Sequence, residues 1–402
     1  MTGRLEAIIV LAAAVVCVAA TRHVPGEYPT IPGALGASAA GDTVVVGPGT
    51  YVGPIELERS VTLMSSGGAA VTTLDADGAG YCVYASDELV GSLVEGFTFI
   101  GADDGVYGWD GFAFGGEGEM TLADCVVGVD NATRMGIANV FQWDVTIRNV
   151  HQNPPGHPWN ANVNMHGYGT LTVEDCRFEF PAYVGAHIAV HNPDAMVVVR
   201  SCEFFGPGGV SEPPSIAYSD FGQVATIVVE DNLFFGGPPA VGHYVVPIQA
   251  FEADVSGGLR FAPTIELRRN TFVENDPPLG DLPVGPWTGV FEQNVVTGGQ
   301  IGVWIPGGGA GYTVACNNVY GNAQNWDGIP DPTGTNGNIS QDPLYCEPPA
   351  GDYSVQGDSP CLPANNSCGV ILGAFGQGCA ATALERDSWG RLKARFRAPG
   401  RR

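Results

Sequence analysis

Short runs of alternating apolar and polar residues recur along the chain, and each run ends in a polar corner. Clear examples span residues 171–178, 197–205, 227–235 and 265–272. A period in the twenties, with one apolar face per unit, predicts a solenoid in which each coil buries that face by stacking on the next. Successive corner residues are 24, 27, 26, 30, 38, 24 and 24 positions apart, and they are Cys125, Asn149, Cys176, Cys202, Asn232, Asn270, Asn294 and Asn318.

Stacking places corner residues of parallel coils about 4.8 Å apart. Asn side chains in such a column can hydrogen-bond along the axis, while Cys can replace them as a small apolar filler. Cys176 and Cys202 are expected to be packed thiols, since stacked side chains rarely present a disulfide dihedral. Two residues beyond each corner, a second column of inward side chains is predicted: Phe178, Phe204, Phe234, Phe272, Val296 and Tyr320.

One repeat is longer than the others. The step of 38 residues before Asn270 contains about a dozen extra residues. Connections of that kind inside compact domains usually carry function. A projecting loop that includes residues 251–258 is therefore predicted.

Composition supports strands rather than helices. The 402 residues include 58 glycines and 30 prolines, with 45% hydrophobic and 15% charged residues. So many helix breakers, combined with short Val-, Ile-, Thr- and Phe-rich runs, predict an all-β protein that is long enough to bury a large core.

Charge is distributed unevenly along the chain. The formal net charge is −25, but residues 381–402 hold seven basic and two acidic residues, so the remainder carries about −30. An acidic surface repels polyanions unless a divalent cation bridges them, which argues against nucleic-acid binding. Lys393 is the only lysine.

The two ends of the chain predict export. Residues 1–20 contain an apolar run after Arg4 that ends in small residues, as in a signal peptide, and the run is short for a membrane span. We expect a β-helix over 21–345, Cys-rich final coils or a cap over 346–380, and a basic tail over 381–402. Disulfides persist outside the cell. Three pairings are open to four cysteines, with Cys361–Cys368 the first expectation, and the four are Cys346, Cys361, Cys368 and Cys379.

Both ends of the repeat region resemble the pectin-lyase-like superfamily. The similarity lies in residues 28–35, 41–51, 60–63 and 96–99, and again in 318–322, 337–344, 352–354 and 359–361. It implies an all-β, right-handed parallel β-helix with an N-terminal capping coil and a Cys-rich C-terminal end, and an association with polysaccharides. Fold alone does not define activity. Of the polygalacturonase signatures only Asp103-Asp104 is present, so no catalytic residue is carried over.

A lateral face offers the best candidate site. Ile137, Val163, Ile188, Ile216 and Ile248 are predicted to form an inward column, so that their neighbours alternate outward. Asn, His, Ser and Gln on consecutive coils suit sugar hydroxyls, which both donate and accept hydrogen bonds. The predicted ligand-binding residues are Asn162, Asn164, His166, His187, His191, Ser219, Gln249 and Tyr218.

Other interpretations of this face remain open. The residues could be an ordinary solvated surface, or His187 and His191 could contribute to a metal site. Catalysis would require an acid and a base, for which the candidates are His166, His191, Asp220 and Glu252. Asp103, Asp104 and Asp110 offer oxygens for Ca²⁺, or they are turn-forming aspartates.

The basic tail carries a pattern of its own. Trp389, Leu392 and Phe396 have helical spacing among arginines, which predicts an amphipathic sorting or surface-attachment signal or a disordered end. Membrane association is expected only through export or this tail.

The leading interpretation is a secreted or cell-surface β-helix that binds a polysaccharide or cell-surface glycan. The alternatives are a structural or adhesive solenoid without a ligand, and a polysaccharide lyase or glycoside hydrolase of undefined type.

Overall fold

A computed structural model describes most of the chain. The described residues are 19–86, 88–102, 110–114, 117–128, 136–141, 143–152, 163–166, 169–179, 188–190, 195–205, 216–218, 226–236, 241–243, 264–274, 288–305, 309 and 311–379. No helix among them is long and apolar enough to span a membrane.

The regular secondary structure of the described residues is almost all β-strand, with one short α-helix and two 3-10 helices. The helix α1 is Ile31–Gly36, and the 3-10 helices are Pro348–Ala350 and Pro363–Asn365. In chain order the strands are β1 (Thr21–Val24), β2 (Thr43–Val46), β3 (Gly49–Val52), β4 (Ile55–Leu57), β5 (Thr62–Ser65), β6 (Thr72–Asp75), β7 (Val83–Ala85), β8 (Ser92–Glu95), β9 (Thr98–Ile100), β10 (Asp110–Phe114), β11 (Gly118–Ala123), β12 (Val126–Val127), β13 (Gly136–Phe141), β14 (Trp143–Arg148), β15 (His151–Gln152), β16 (Val163–His166), β17 (Gly169–Glu174), β18 (Arg177–Glu179), β19 (Ile188–Val190), β20 (Ala195–Arg200), β21 (Glu203–Phe205), β22 (Ile216–Tyr218), β23 (Thr226–Glu230), β24 (Leu233–Phe235), β25 (Val241–His243), β26 (Thr264–Arg268), β27 (Thr271–Val273), β28 (Thr288–Glu292), β29 (Val295–Thr297), β30 (Ile301–Trp304), β31 (Tyr312–Ala315), β32 (Asn318–Tyr320), β33 (Gln324–Asp327), β34 (Tyr345–Glu347) and β35 (Asp352–Val355).

Three long parallel sheets contain most of these strands. The first sheet has the order β1-β2-β5-β8-β11-β14-β17-β20-β23-β26-β28-β31, the second β3-β6-β9-β12-β15-β18-β21-β24-β27-β29-β32, and the third β25-β22-β19-β16-β13-β10-β7-β4. Strands that follow one another along the chain thus belong to different sheets, while each pairs in parallel with its counterpart one coil away. This topology confirms the predicted parallel β-helix, and right-handed is the sense that parallel crossovers adopt.

Corners between the first and second sheets are nearly identical. From β8 onward each described corner has two residues, such as Asp124 and Cys125 or Asp231 and Asn232. The first residue has positive φ, 53° at Asp124 and 61° at Asp231, which turns the chain sharply. The second residue points into the core, and at Cys125 and Asn232 it is at most 1% exposed.

The predicted Asn column exists, with a correction of register. Each Asn side chain accepts a hydrogen bond from the backbone N–H one coil before it, as Asn270 does from Asn232 at 3.1 Å. Asn149 and Asn318 were wrong as members, because Asn149 is the positive-φ residue of its corner and Asn318 begins a strand. The residues that form the ladder are Asn232, Asn270, Asn294, Asn317 and Asn338. Buried free thiols of Cys125, Cys176 and Cys202 precede them, as expected.

A column of aromatic rings runs beside the ladder. The rings of Phe178, Phe204, Phe234 and Phe272 stack with centroid separations of 5.0, 4.6 and 5.1 Å. The prediction was wrong at Tyr320, which is 37% exposed, because the register places Val319 next to Val296. The ladder and the rings together form the core on this side of the coil.

The N-terminal end is closed by α1, and Ile31, Ala34 and Leu35 of this helix are buried. Thr30 caps the helix, since its side-chain oxygen accepts a hydrogen bond from the N–H of Gly33 at 3.2 Å.

The C-terminal Cys-rich segment lies across the outer face of the second sheet, and residues 340–379 are called the strap below. Tyr345 and Phe375 of the strap pack with Leu233, Phe235 and Val273, which project outward from β24 and β27. The N–H of Ala374 donates to the Thr271 hydroxyl at 3.0 Å. The strap therefore covers the apolar half of this face.

Two disulfides hold the strap, namely Cys316–Cys368 and Cys346–Cys379. The expected pairing of Cys361 with Cys368 was wrong. Cys361 is a buried free thiol that accepts a hydrogen bond from the Asn318 amide at 3.3 Å, whereas Cys368 reaches the corner residue Cys316. Sequence spacing favoured the nearest pair, but the strap brings more distant cysteines together.

Candidate functional site

The third sheet differs from the other two in its connections. Segments that join it to its neighbours range from one residue, Gln142 between β13 and β14, to twenty, residues 244–263 between β25 and β26. The corners opposite hold two residues from β8 onward. Variable connections flanking a regular sheet are where binding residues concentrate in many folds.

Two predicted site residues lie on β16. Asn164 is the register partner of Asn139 on the preceding coil and of Ala189 on the next, and His166 pairs with Phe141. Two asparagines thus occupy neighbouring positions one coil apart, a spacing of about 4.8 Å. An amide group can both donate and accept hydrogen bonds.

Tyr218 lies at the end of β22, between Val190 and His243 in register. The row that contains Asn164 continues with Ala189 on β19 and Ala217 on β22. Strand β19 lies between β22, which carries Tyr218, and β16. The strands bring Asn164, His166 and Tyr218 onto one sheet, but not into one row. Tyr218 is in the row of Met165 and Val190, two positions after the buried Ile216.

The predicted inward column is confirmed in its middle and corrected at both ends. Val163, Ile188 and Ile216 are register partners and fully buried. Ile137 is also buried, but Ala138 is the partner of Val163. At the other end Val241 pairs with Ile216, so the sequence alignment on Ile248 was wrong.

Most of the other predicted site residues lie outside the described residues. They are Asn162, His187, His191, Ser219, Asp220, Ile248, Gln249, Glu252, Asp103 and Asp104. The projecting loop predicted at 251–258 falls there too, within the twenty-residue connection. Of the Ca²⁺ candidates, Asp110 begins β10 and pairs with Gly136. The described part of the chain contains no group of three His, Cys, Asp or Glu side chains that could hold a metal ion.

Sequence reasoning missed Asn139 as a position of the candidate site, and it misaligned the coil that contains His243, which is the register partner of Tyr218. Asn139 precedes Asn164 by 25 residues, close to the repeat length, which was a usable signal. His243 was overlooked because its coil was aligned on Ile248 instead of Val241.

The first sheet presents a different surface, a row of alternating charges that we call the charged row. Arg200 donates to Glu174 at 2.7 Å, and Arg268 donates to Glu292 at 2.6 Å. Such a row neutralises itself from coil to coil and leaves little free charge for a ligand. Its register partners are Arg148, Glu174, Arg200, Glu230, Arg268 and Glu292.

No protein-family model and no curated protein matches the sequence. Among solved structures the chain is similar to pectate lyase Pel9A, with 12% identity, a TM-score of 0.56, and coverage of 89% of this chain and 96% of that one. It is also similar to the PL6 family polysaccharide lyase Pedsa3628 from Pseudopedobacter saltans, with 14% identity, a TM-score of 0.48, and coverage of 88% and 92%. Likeness at this identity concerns the fold. The chain therefore shares the parallel β-helix fold of pectate lyase Pel9A.

Proposed function

We propose that this protein is an extracellular β-helix that binds a polysaccharide or cell-surface glycan along the third sheet. The observation that carries the proposal is a pair of asparagines at register-paired positions one coil apart, Asn139 on β13 and Asn164 on β16, with His166 two positions further along β16. A repeating polymer is matched by a surface that repeats along one axis.

The chemistry of these residue types suits sugars. Amides and neutral imidazoles can donate and accept hydrogen bonds, as sugar hydroxyls do. The acidic body favours a neutral polysaccharide, or an acidic one bridged by a divalent cation such as Ca²⁺. The same charge argues against nucleic acid as a partner.

An extracellular location is supported by two features. Residues 1–20 have the pattern of a signal peptide, and Cys316–Cys368 and Cys346–Cys379 are bonds that persist in oxidising compartments. The fold shared with pectate lyase Pel9A fits a polysaccharide partner.

A glycan array with the purified protein tests the proposal. Asn164→Ala and His166→Ala should each weaken binding to the preferred glycan at least about tenfold, the effect of losing one or two hydrogen bonds to the ligand. Thr146→Ala and Thr172→Ala are matched controls, because these threonines are register partners on the first sheet, and they should leave affinity unchanged.

Three outcomes decide between the interpretations. Absence of binding to every glycan, or equal loss in the control variants, would overturn the proposal in favour of a structural or adhesive solenoid. Binding without products supports it. New reducing or unsaturated ends in the incubated glycan would add catalysis, with His166, His191, Asp220 and Glu252 the residues to substitute first.

A further inference from the structure

A groove of about 340 Å³ crosses the corner between the first and second sheets in the N-terminal coils. Residues 67–70 form one wall, and the corners of the next three coils form the floor. It lies away from the third sheet. The polar side chains that line it include Glu95, Asp124, Asn149 and His151.

The groove exists because one corner is wider than the others. Between β5 and β6 the corner contains residues 66–71, where later corners contain two residues. The Ser65 hydroxyl accepts hydrogen bonds from the N–H groups of Gly67 and Gly68 at 3.1 and 2.9 Å, which holds this corner in place. On the floor, a Cβ at Gly96 would lie 3.4 Å from Ser65 and from Gly68, so glycine keeps the groove open.

Glu95 and Asp124 give the groove a negative charge. Burial raises the pKa of the intervening Cys125 thiol to about 12, and the charges of Asp124 and Glu95 contribute to that rise, so both carboxylates lie close to one point. Asp124 also accepts a hydrogen bond from the Asn149 amide. Neither carboxylate forms an ion pair with a basic side chain of the described residues.

The strap leads the C-terminal end of the chain onto this side of the solenoid. Tyr353 packs on Phe235 of β24 with ring centroids 5.8 Å apart, and the chain continues to Cys379, which is bonded to Cys346. From β24 to β12 of the second sheet is a distance of four coils, about 19 Å. Lys393 follows Cys379 by 14 residues, which span up to about 46 Å when extended.

Charge complementarity points to one occupant. Residues 381–402 hold seven basic and two acidic residues, whereas residues 270–379 contain no Lys, Arg or His. Small and apolar residues of the groove, Ala69 and Ala70 in the wall and Val126 in the floor, would accommodate the apolar side chains of the same segment.

We propose that the basic tail, residues 381–402, docks in this groove with its basic side chains against Glu95 and Asp124. The tail then continues the path of the strap toward the N-terminal coils. Docking would keep the tail on the protein until a stronger acidic partner competes for it.

Carbodiimide coupling in the full chain tests this placement, because Lys393 is the only lysine. A cross-link that forms without a spacer must join Lys393, or the terminal amine, to a carboxylate that it touches. In the monomer fraction, peptide mapping should find Lys393 joined to Glu95 or Asp124. At 1 M salt the yield should fall severalfold, because screening weakens exposed ion pairs.

Two variants provide the comparison. Glu95→Gln with Asp124→Asn removes both charges while preserving shape, and Asn tolerates the positive φ of 53° at position 124. This double variant should reduce the intramolecular cross-linking yield of Lys393 at least tenfold. Glu58→Gln, an exposed acidic position outside the groove, should leave it unchanged. Coupling of Lys393 mainly to other carboxylates, only between molecules, or not at all would overturn the proposal.

Discussion

The corners between the first and second sheets and the connections around the third sheet differ in how regular they are. Between the first and second sheets, from β8 onward, a two-residue turn repeats, with a positive-φ residue followed by a buried Cys, Asn or apolar residue. Around the third sheet the connections range from one residue to the twenty residues 244–263. One side is constant while the other side varies.

The two-residue corners hold the stack of coils together, whereas the connections beside the third sheet can change in length. Asn232 donates its amide to the Val199 and Glu230 carbonyls and to Asn270, so a single side chain ties together three coils. A shift at such a corner propagates to its neighbours. The connections beside the third sheet differ in length from coil to coil, so the fold does not require a fixed number of residues there. That side of the coil is therefore where a binding surface can evolve without loss of the fold.

Insertion of a single glycine should give the largest contrast between the two sides. Placed between Ser201 and Cys202, it displaces Cys202 and Phe204 from the core and should cost more than about 4 kcal/mol, the scale of losing a large buried side chain. Placed between Gly257 and Gly258 in the twenty-residue connection, it should cost less than about 0.5 kcal/mol, since closure entropy rises slowly with length.

Thermal and denaturant midpoints of the two insertion variants measure this contrast. Circular dichroism at 25 °C should first establish that each variant retains its strands. Equal losses of stability would mean that the long connection is packed as tightly as the corner, and the proposed division between the two sides would fail.

Substitutions within the corner column should give an intermediate effect. Asn270→Ala leaves the buried Asn232 N–H without its acceptor and removes the amide donor to the Val229 carbonyl, and should cost about 3 kcal/mol, because a buried unpaired group costs about 1–3 kcal/mol. Cys202→Ala loses only weak thiol contacts to the carbonyls of Val173 and Arg200, and about 1 kcal/mol is expected from the small volume removed.

Hydrogen exchange provides the local readout for this pair of substitutions. The N–H of Asn232 should exchange much faster in Asn270→Ala than in Cys202→Ala. If the two variants were equally stable, the Asn ladder would contribute no more to the free energy of unfolding than a buried cysteine does.

The periodic features of this fold could be predicted from the sequence. Repeat spacing was sufficient for the sheets, the Phe stack and the Asn column. A shift of one residue at Asn149 and Asn318 was not visible. At the first of these corners the buried residue is the apolar Val150, and at the second the two asparagines Asn317 and Asn318 are adjacent. Only the backbone φ separates the turning residue from the buried one. The disulfides depended on the path of the strap, which local spacing does not encode.

The candidate site was less predictable for a related reason. Val163, Ile188 and Ile216 were aligned correctly because apolar positions recur at coil length, but the alignment was lost at Ile248 where the connections change length. Polar residues between such connections carry no periodic signal of their own. Asn164 was assigned to its position because the neighbouring Val163 was aligned correctly. The coil of His243 was misaligned because Val241 was not recognised as the partner of Ile216.

Reversal of one charge in the charged row should give the smallest effect. Arg200→Glu places a third carboxylate between Glu174 and Glu230, where Arg200 now bonds Glu174 at 2.7 Å. Exposed pairs contribute up to about 1 kcal/mol, so a loss of about 1 kcal/mol is expected at low salt. The loss should shrink at 1 M NaCl. A loss that persists at high salt would mean that Arg200 stabilises the coil by packing, and that the first sheet, like its corner, depends on shape more than on charge.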